Sequence, residues 1–269
     1  MRYRSHGRAI AIPIVLASLA TSAQARAVWV MGGTQLAPSG DYFTEVTTSF
    51  TVPPAPAQPS EGVTNLWPGI EDGMGQWVLQ SVLSYGFLSE GWLMDNMVVG
   101  PSNGNPNNTS CPTGNATYCD TPLSVNSGDN IFVGIYLDQS NRGGNCNLTA
   151  GTNCNYTIFW LDFTTGRFSE LLDWTAPTPL VWAQGLVFEQ TLYTGLGLGS
   201  PTSCSDYPLG TAVTGDVALY HNVGSNLYAQ IPSNLVANNP GSNNWGFPDG
   251  CSGPYIASTS GQIVQMLFF

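Results

Sequence analysis

Leu66-Trp-Pro-Gly-Ile-Glu-Asp72, then Gln76-Trp-Val-Leu-Gln-Ser-Val-Leu-Ser-Tyr-Gly86, then Gly91-Trp92: this stretch decides the fold. Val78, Leu79, Val82 and Leu83 are strong strand formers, and a turn with Gly73 and Gly75 separates them from the preceding apolar run. The stretch reads as a β-hairpin with three tryptophans (Trp67, Trp77, Trp92), two adjacent acids (Glu71, Asp72) and one polar residue, Gln80, in an apolar strand.

Further strands are expected on either side of the hairpin, at intervals punctuated by turns: Phe43–Val52, Thr64–Ile70, Gln76–Tyr85, Gly91–Val98, Asn130–Asp138 and Tyr156–Asp162. Leu180–Phe188, Val213–Asn222 and Gly261–Phe269 follow. No long stripe of helical period interrupts them, and Gly, Pro, Asn, Ser and Thr dominate the rest. The pattern predicts one all-β domain, a sandwich or barrel. Asn103–Tyr118, Asn141–Asn155 and Ser233–Tyr255 read as irregular surface stretches.

Residues 1–25 read as a signal peptide, with Arg2, Arg4 and Arg8, an apolar Ala9–Ala20 run and an Ala23-Gln24-Ala25 cleavage site. The chain from 26 to 269 is then a secreted, extracellular domain. Its interior holds Arg142 and Arg167 against 17 acids, a net charge of −15, or one less negative with Arg26. Such a field repels nucleic acid and anionic membranes, so neither is expected as a partner, and a monomer is the expected state. Few bases are available to become a charge load at low pH, so the composition suits an acidic environment.

Six cysteines in an exported chain imply three disulfides. Spacing favours Cys111 with Cys119 and Cys146 with Cys154, leaving Cys204 with Cys251. The sequons at Asn107, Asn108, Asn115, Asn147 and Asn155 predict exposed loops, glycosylated where the host has the machinery.

Elimination narrows the chemistry. Past the leader one histidine remains, His221 in a strand-like run, and no Gly-x-Ser-x-Gly elbow is present. With its cysteines oxidised the chain lacks a thiol nucleophile, and the sequence shows no zinc ligand set or phosphate-cradling loop, so no metal or cofactor is expected. Carboxylates must then move any proton. Glu189, after the apolar run Trp182–Phe188, suits a raised pKa or is a strand-end acid facing solvent. Glu71 and Asp72 lie at a turn, where acids commonly bond backbone, and Asp129, Asp162 and Asp173 read as turn or rim acids. Gln80 either bonds neighbouring backbone or aims its amide into a cleft to meet a developing oxyanion.

Trp67-Pro-Gly-Ile-Glu-Asp72 resembles the Trp-Val-Gly-Ile-Asp-Gly motif of the glutamic peptidases, or eqolisins (family G1, also A4). Val78-Leu79-Gln80 is similar to their Ile-Leu-Gln, and Gly91-Trp92 to their Ala-Trp. Gly185-Leu-Val-Phe-Glu189 resembles their Glu-Trp-Ile-Val-Glu. The resemblance implies a concanavalin-like sandwich of two antiparallel sheets and an acid endopeptidase needing no cofactor. It places the general base on Glu189 and the water-orienting, oxyanion-stabilising amide on Gln80. Trp67, Glu71, Asp72, Trp92 and Asp95 are the candidates for binding a polypeptide substrate. The sequence departs from the family at Pro68, at Leu93-Met94-Asp95 in place of Tyr-Glu-Trp, and at Gln184-Gly185, where the glycine marks a bulge or a close ligand approach.

Two other readings stay open. A non-catalytic concanavalin-like module would bind a glycan or a protein on a face of tryptophans and amides. A glycoside hydrolase would need a second acid facing Glu189, with Glu71, Asp72 and Asp95 as the choices.

Overall fold

The computed structural model describes residues 28–56, 62–74, 76–86, 91–100, 116–138, 146–194, 197–199, 211–224, 226–231, 235–238, 255–260 and 262–268. The leader, Cys111, Cys204, Cys251 and the sequons at Asn107, Asn108 and Asn115 lie outside these residues.

Strands Val28–Leu36 (β1), Phe43–Thr51 (β2), Gly62–Asp72 (β3), Val78–Tyr85 (β4) and Trp92–Val99 (β5) open the chain. Ala116–Cys119 (β6), Leu123–Val125 (β7), Asn130–Leu137 (β8), Cys154–Asp162 (β9) and Phe168–Ala176 (β10) follow. Then come Leu180–Thr194 (β11), Gly197–Gly199 (β12), Thr211–Val223 (β13) and Asn226–Ile231 (β14). Val236–Asn238 (β15), Tyr255–Ser260 (β16) and Ile263–Phe268 (β17) complete the set.

They form two sheets, ordered β15-β1-β11-β3-β4-β5-β6 and β10-β9-β8-β2-β13-β17-β16. Strands β12 and β7 add to the first sheet beside β11 and β5, and β14 adds to the second beside β13. The pairings are antiparallel throughout. The expected two-sheet sandwich is the architecture found.

One face of each sheet supplies the core. Leu66, Ile70, Leu79, Leu83, Met94, Ala183, Leu186 and Phe188 of the first sheet pack in one cluster with Val46, Ile135, Ile158, Trp160, Val217 and Leu219 of the second. Strand β13 alternates buried and open positions, as a sheet with one covered face should. Strands β4 and β5 do not alternate, because their outer face is buried as well. A second cluster sits there, formed by Trp67, Val82, Met97 and Val187. The centre of the first sheet is therefore covered on both sides.

Cys146 and Cys154 are bonded as spacing predicts, and Cys119 is also in a disulfide. Asn155 corrects the loop reading. It stands in β9, 8% exposed, and accepts from the Thr175 hydroxyl at 2.7 Å, whereas Asn147 is exposed. His221 is buried in β13, and its Nδ1 meets Asp41 Oδ2 at 2.9 Å, which gives it a structural partner at the end of the second sheet.

Candidate active site

The first sheet's outer face is built from residues of alternate parity on β11, β3, β4 and β5. Register defines its rows. Gln184 pairs with Gly69, Gly69 with Gln80, and Gln80 with Met97. On one side lies the row Trp182, Glu71, Val78, Val99. On the other side Val187 faces Trp67 and Val82 faces Asp95. Beyond it runs Glu189, Asn65, Ser84, Leu93, where the Ser84 hydroxyl donates to Asn65 Oδ1 at 2.8 Å.

Gln80 is 7% exposed, and its amide makes no side-chain hydrogen bond among the described residues. Its neighbour Gly69 has no room for a side chain. A Cβ there would lie 3.0 Å from the Trp67 ring and 2.8 Å from the Leu79 carbonyl oxygen, so glycine lets the indole lie over the strand. Trp67 is itself 2% exposed and belongs to the face's apolar cluster.

Glu71 neighbours both amides. It is diagonal to Gln80 and to Gln184, about 7–8 Å from each between Cα atoms. Burial pushes its carboxyl up to about 7, Asp72 adds repulsion, and a hydrogen bond from Gln184 partly offsets both. Asp95, 5% exposed, is likewise pushed up to about 7, by burial first and by the nearby Asp120 second. Among the described residues neither acid has a cation beside it, and burial makes both hold protons more tightly than a solvated carboxylate.

Glu189 occupies a register position of the same parity as Val187, opposite Asn65 on one side and Trp29 on the other. Its Cα lies two rows from that of Gln80, about 13 Å along the strands and about 10 Å across them. Its side chain lies outside the described set.

Two of the binding candidates stand elsewhere. Trp92 faces the core and packs edge-on against Tyr85, ring centres 5.0 Å apart. Asp72 serves the hairpin turn: its Oδ1 accepts from the N–H groups of Gln76 at 2.7 Å and Trp77 at 3.3 Å, and its Oδ2 accepts from Thr178 at 3.2 Å. Asp72→Ala is therefore expected to cost about 2 kcal/mol in urea unfolding, because it orphans those donors. Gly185 marks a bulge between Gln184 and Val187, where a Cβ would press on Val217 at 3.0 Å and Val264 of the second sheet and on Leu235, just before β15.

The sequence reading did not single out Gln184 as a site residue. It is 1% exposed, and its Oε1 is buried without a partner among the described residues. Among the described residues no three His, Cys, Asp or Glu side chains gather into a metal-binding group. A separate hollow of about 290 Å³ opens at the sheets' edges, lined by Tyr118, Leu171, Asp173, Trp174 and Thr175.

No protein-family model and no curated protein sequence matches the chain. Solved structures do match. Scytalido-glutamic peptidase with a peptide-based transition-state analogue aligns at TM-score 0.52 and 13% identity, covering 91% of this chain and 99% of that one. A second structure of that enzyme, with a transition-state analogue inhibitor, aligns at 0.51 and 14% over the same shares. SCP-B, a member of the eqolisin family in complex with the tripeptide Ala-Ile-His, aligns at 0.49 and 13%, again over 91% and 99%. In fold the chain is an eqolisin-like β-sandwich.

Proposed function

We propose that this protein is a secreted acid endopeptidase of glutamic-peptidase type. The observation that carries the reading is the Gln80 amide: buried, uncommitted among the described residues, and set in a fold shared with a glutamic peptidase that binds a peptide-based transition-state analogue. In a low-dielectric site such a donor gains strength towards an oxyanion and needs no reorganisation. Glu189 is the general base. It takes a proton from the attacking water and returns it to the leaving amine, while Gln80 orients that water and then holds the tetrahedral oxygen. Trp67 and Asp95 stand in the row between these two. An unfolded polypeptide in acid is the suitable probe.

The test is cleavage of acid-unfolded protein between about pH 2 and 7, read by mass spectrometry. Cleavage confined to acid and blocked by a peptide-based transition-state analogue supports the reading. Absence of cleavage from folded protein at every pH overturns it. A glycan-binding module is the second reading, favoured by the edge hollow with Tyr118, Trp174 and Asp173, the last in a left-handed conformation with φ 59°. A glycan array discriminates it.

A further inference from the structure

Glu71 and Gln184 meet as a carboxyl and an amide on adjacent strands of the buried outer face. Gln184 donates from its amide nitrogen to the Glu71 carboxyl, and its own carbonyl is a buried orphan among the described residues. An ionised carboxylate only accepts hydrogen bonds, so it cannot satisfy that carbonyl. A carboxylic acid can. Its O–H donates to Gln184 Oε1 while its other oxygen accepts the amide N–H, closing a cyclic two-bond pair.

We propose that Glu71 and Gln184 share a proton as an acid–amide pair, which keeps the Gln80 row uncharged below neutral pH.

The surroundings favour the neutral acid. Across from Glu71 stand Trp182 and Val78, with Gln80 and Gln184 on the diagonals, none of them charged. Asp72, next in sequence, raises the carboxyl further. Asp95 is another acid on this face, one strand beyond Gln80, and holds its own proton up to about 7. Arg167 donates to the Ser124 carbonyl on the sheet edge and offers this cluster no cation. Once ionised, Glu71 would place a negative charge on the diagonal of Gln80 and oppose any oxyanion bound there. This catalytic consequence rests on the peptidase reading; the shared proton does not.

The experiment follows thermal unfolding of the intact protein and of Glu71→Gln from about pH 4 to 8. The folded carboxyl is raised to about 7 from an ordinary value of 4.5. Its contribution is thus fully present below about 4.5, is lost as pH rises towards about 7, and is flat above. Glutamine keeps an amide donor for the Gln184 carbonyl and cannot ionise. The wild-type Tm should therefore fall relative to the variant across that interval. A constant difference between the two Tm curves overturns the proposal. Should Glu71→Gln not fold, carboxyl ¹³C NMR of glutamate-labelled wild type decides. A glutamate signal assigned to position 71 that titrates near neutral supports the pair, and one that titrates near 4–5 overturns it. If the enzyme cleaves, Glu71→Gln should extend its activity towards neutral pH, and an unchanged alkaline limb counts against the pair. If neither protein cleaves, the peptidase reading fails while the two titrations still judge the shared proton.

Discussion

Gln80→Ala is expected to lower kcat/KM for acid cleavage by about 10²–10³-fold, the usual cost of removing one preorganised oxyanion donor. Its thermal unfolding should change little, by about 1 kcal/mol or less. The two effects separate because the Gln80 amide bonds no side chain or backbone among the described residues, so truncation orphans nothing there. Measuring Glu189→Gln and Glu71→Gln beside it assigns the acid. Loss in Glu189→Gln with activity retained in Glu71→Gln supports Glu189 as base and Glu71 as a neutral, positioning acid. The reverse pattern would make Glu71 the base, since it lies diagonal to Gln80 whereas Glu189 lies two rows away. A Gln80→Ala variant that folds and cleaves at the wild-type rate would remove the amide from the mechanism.

The fold was legible wherever strands alternate or run apolar between turns. Strands β2, β3, β4, β5, β8, β9, β11, β13 and β17 all follow that pattern. The strands that escaped have local reasons. β1 carries Gly32-Gly33 in its middle, which reads as a break, and β10 bulges between Leu171 and Trp174 with Asp173 at φ 59°. β16, Tyr-Ile-Ala-Ser-Thr-Ser, is half polar, and pairing with β17 rather than its own pattern makes it a strand.

The site was legible in part, for the same kind of reason. Gln80 announces itself as a polar residue inside an apolar strand, and Asp72 as a turn acid. Gln184 does not. It stands five residues before Glu189, so a regular strand would put the two on opposite faces. The extra residue at the Gly185 bulge shifts the parity and brings Gln184 onto the row of Gly69 and Gln80. The outer face also proved more buried than its polar content suggested, and burial is what makes Glu71 and Asp95 weak acids. Pairwise sequence spacing carries neither a bulge nor a cover.

Asn96→Leu is expected to cost about 3 kcal/mol, because Asn96 clasps the two sheets at their edges. The residue is fully buried on β5. Its Oδ1 accepts from the Ser81 hydroxyl on β4. Its Nδ2 donates to Asp120 Oδ2 at 2.7 Å and to the Ser169 carbonyl of β10 at 3.2 Å, while the Ser169 hydroxyl donates to Asp120 at 2.6 Å. Leucine is similar in size but leaves the Ser81 hydroxyl, one Asp120 oxygen and the Ser169 carbonyl short of partners, each a loss of about 1 kcal/mol or more. Asn96→Asp separates hydrogen bonding from charge. Burial already raises the Asp120 carboxyl, with bonds from Ser169 and Asn96 partly offsetting it. A second carboxyl would then be protonated in acid, where its O–H replaces the lost donor, and ionised at higher pH, where it repels Asp120. Urea unfolding should show Asn96→Asp close to wild type near pH 4 and progressively weaker towards pH 8, with Asn96→Leu weakened throughout. Equal stability of all three proteins at both ends would mean that apolar packing alone holds the two edges together.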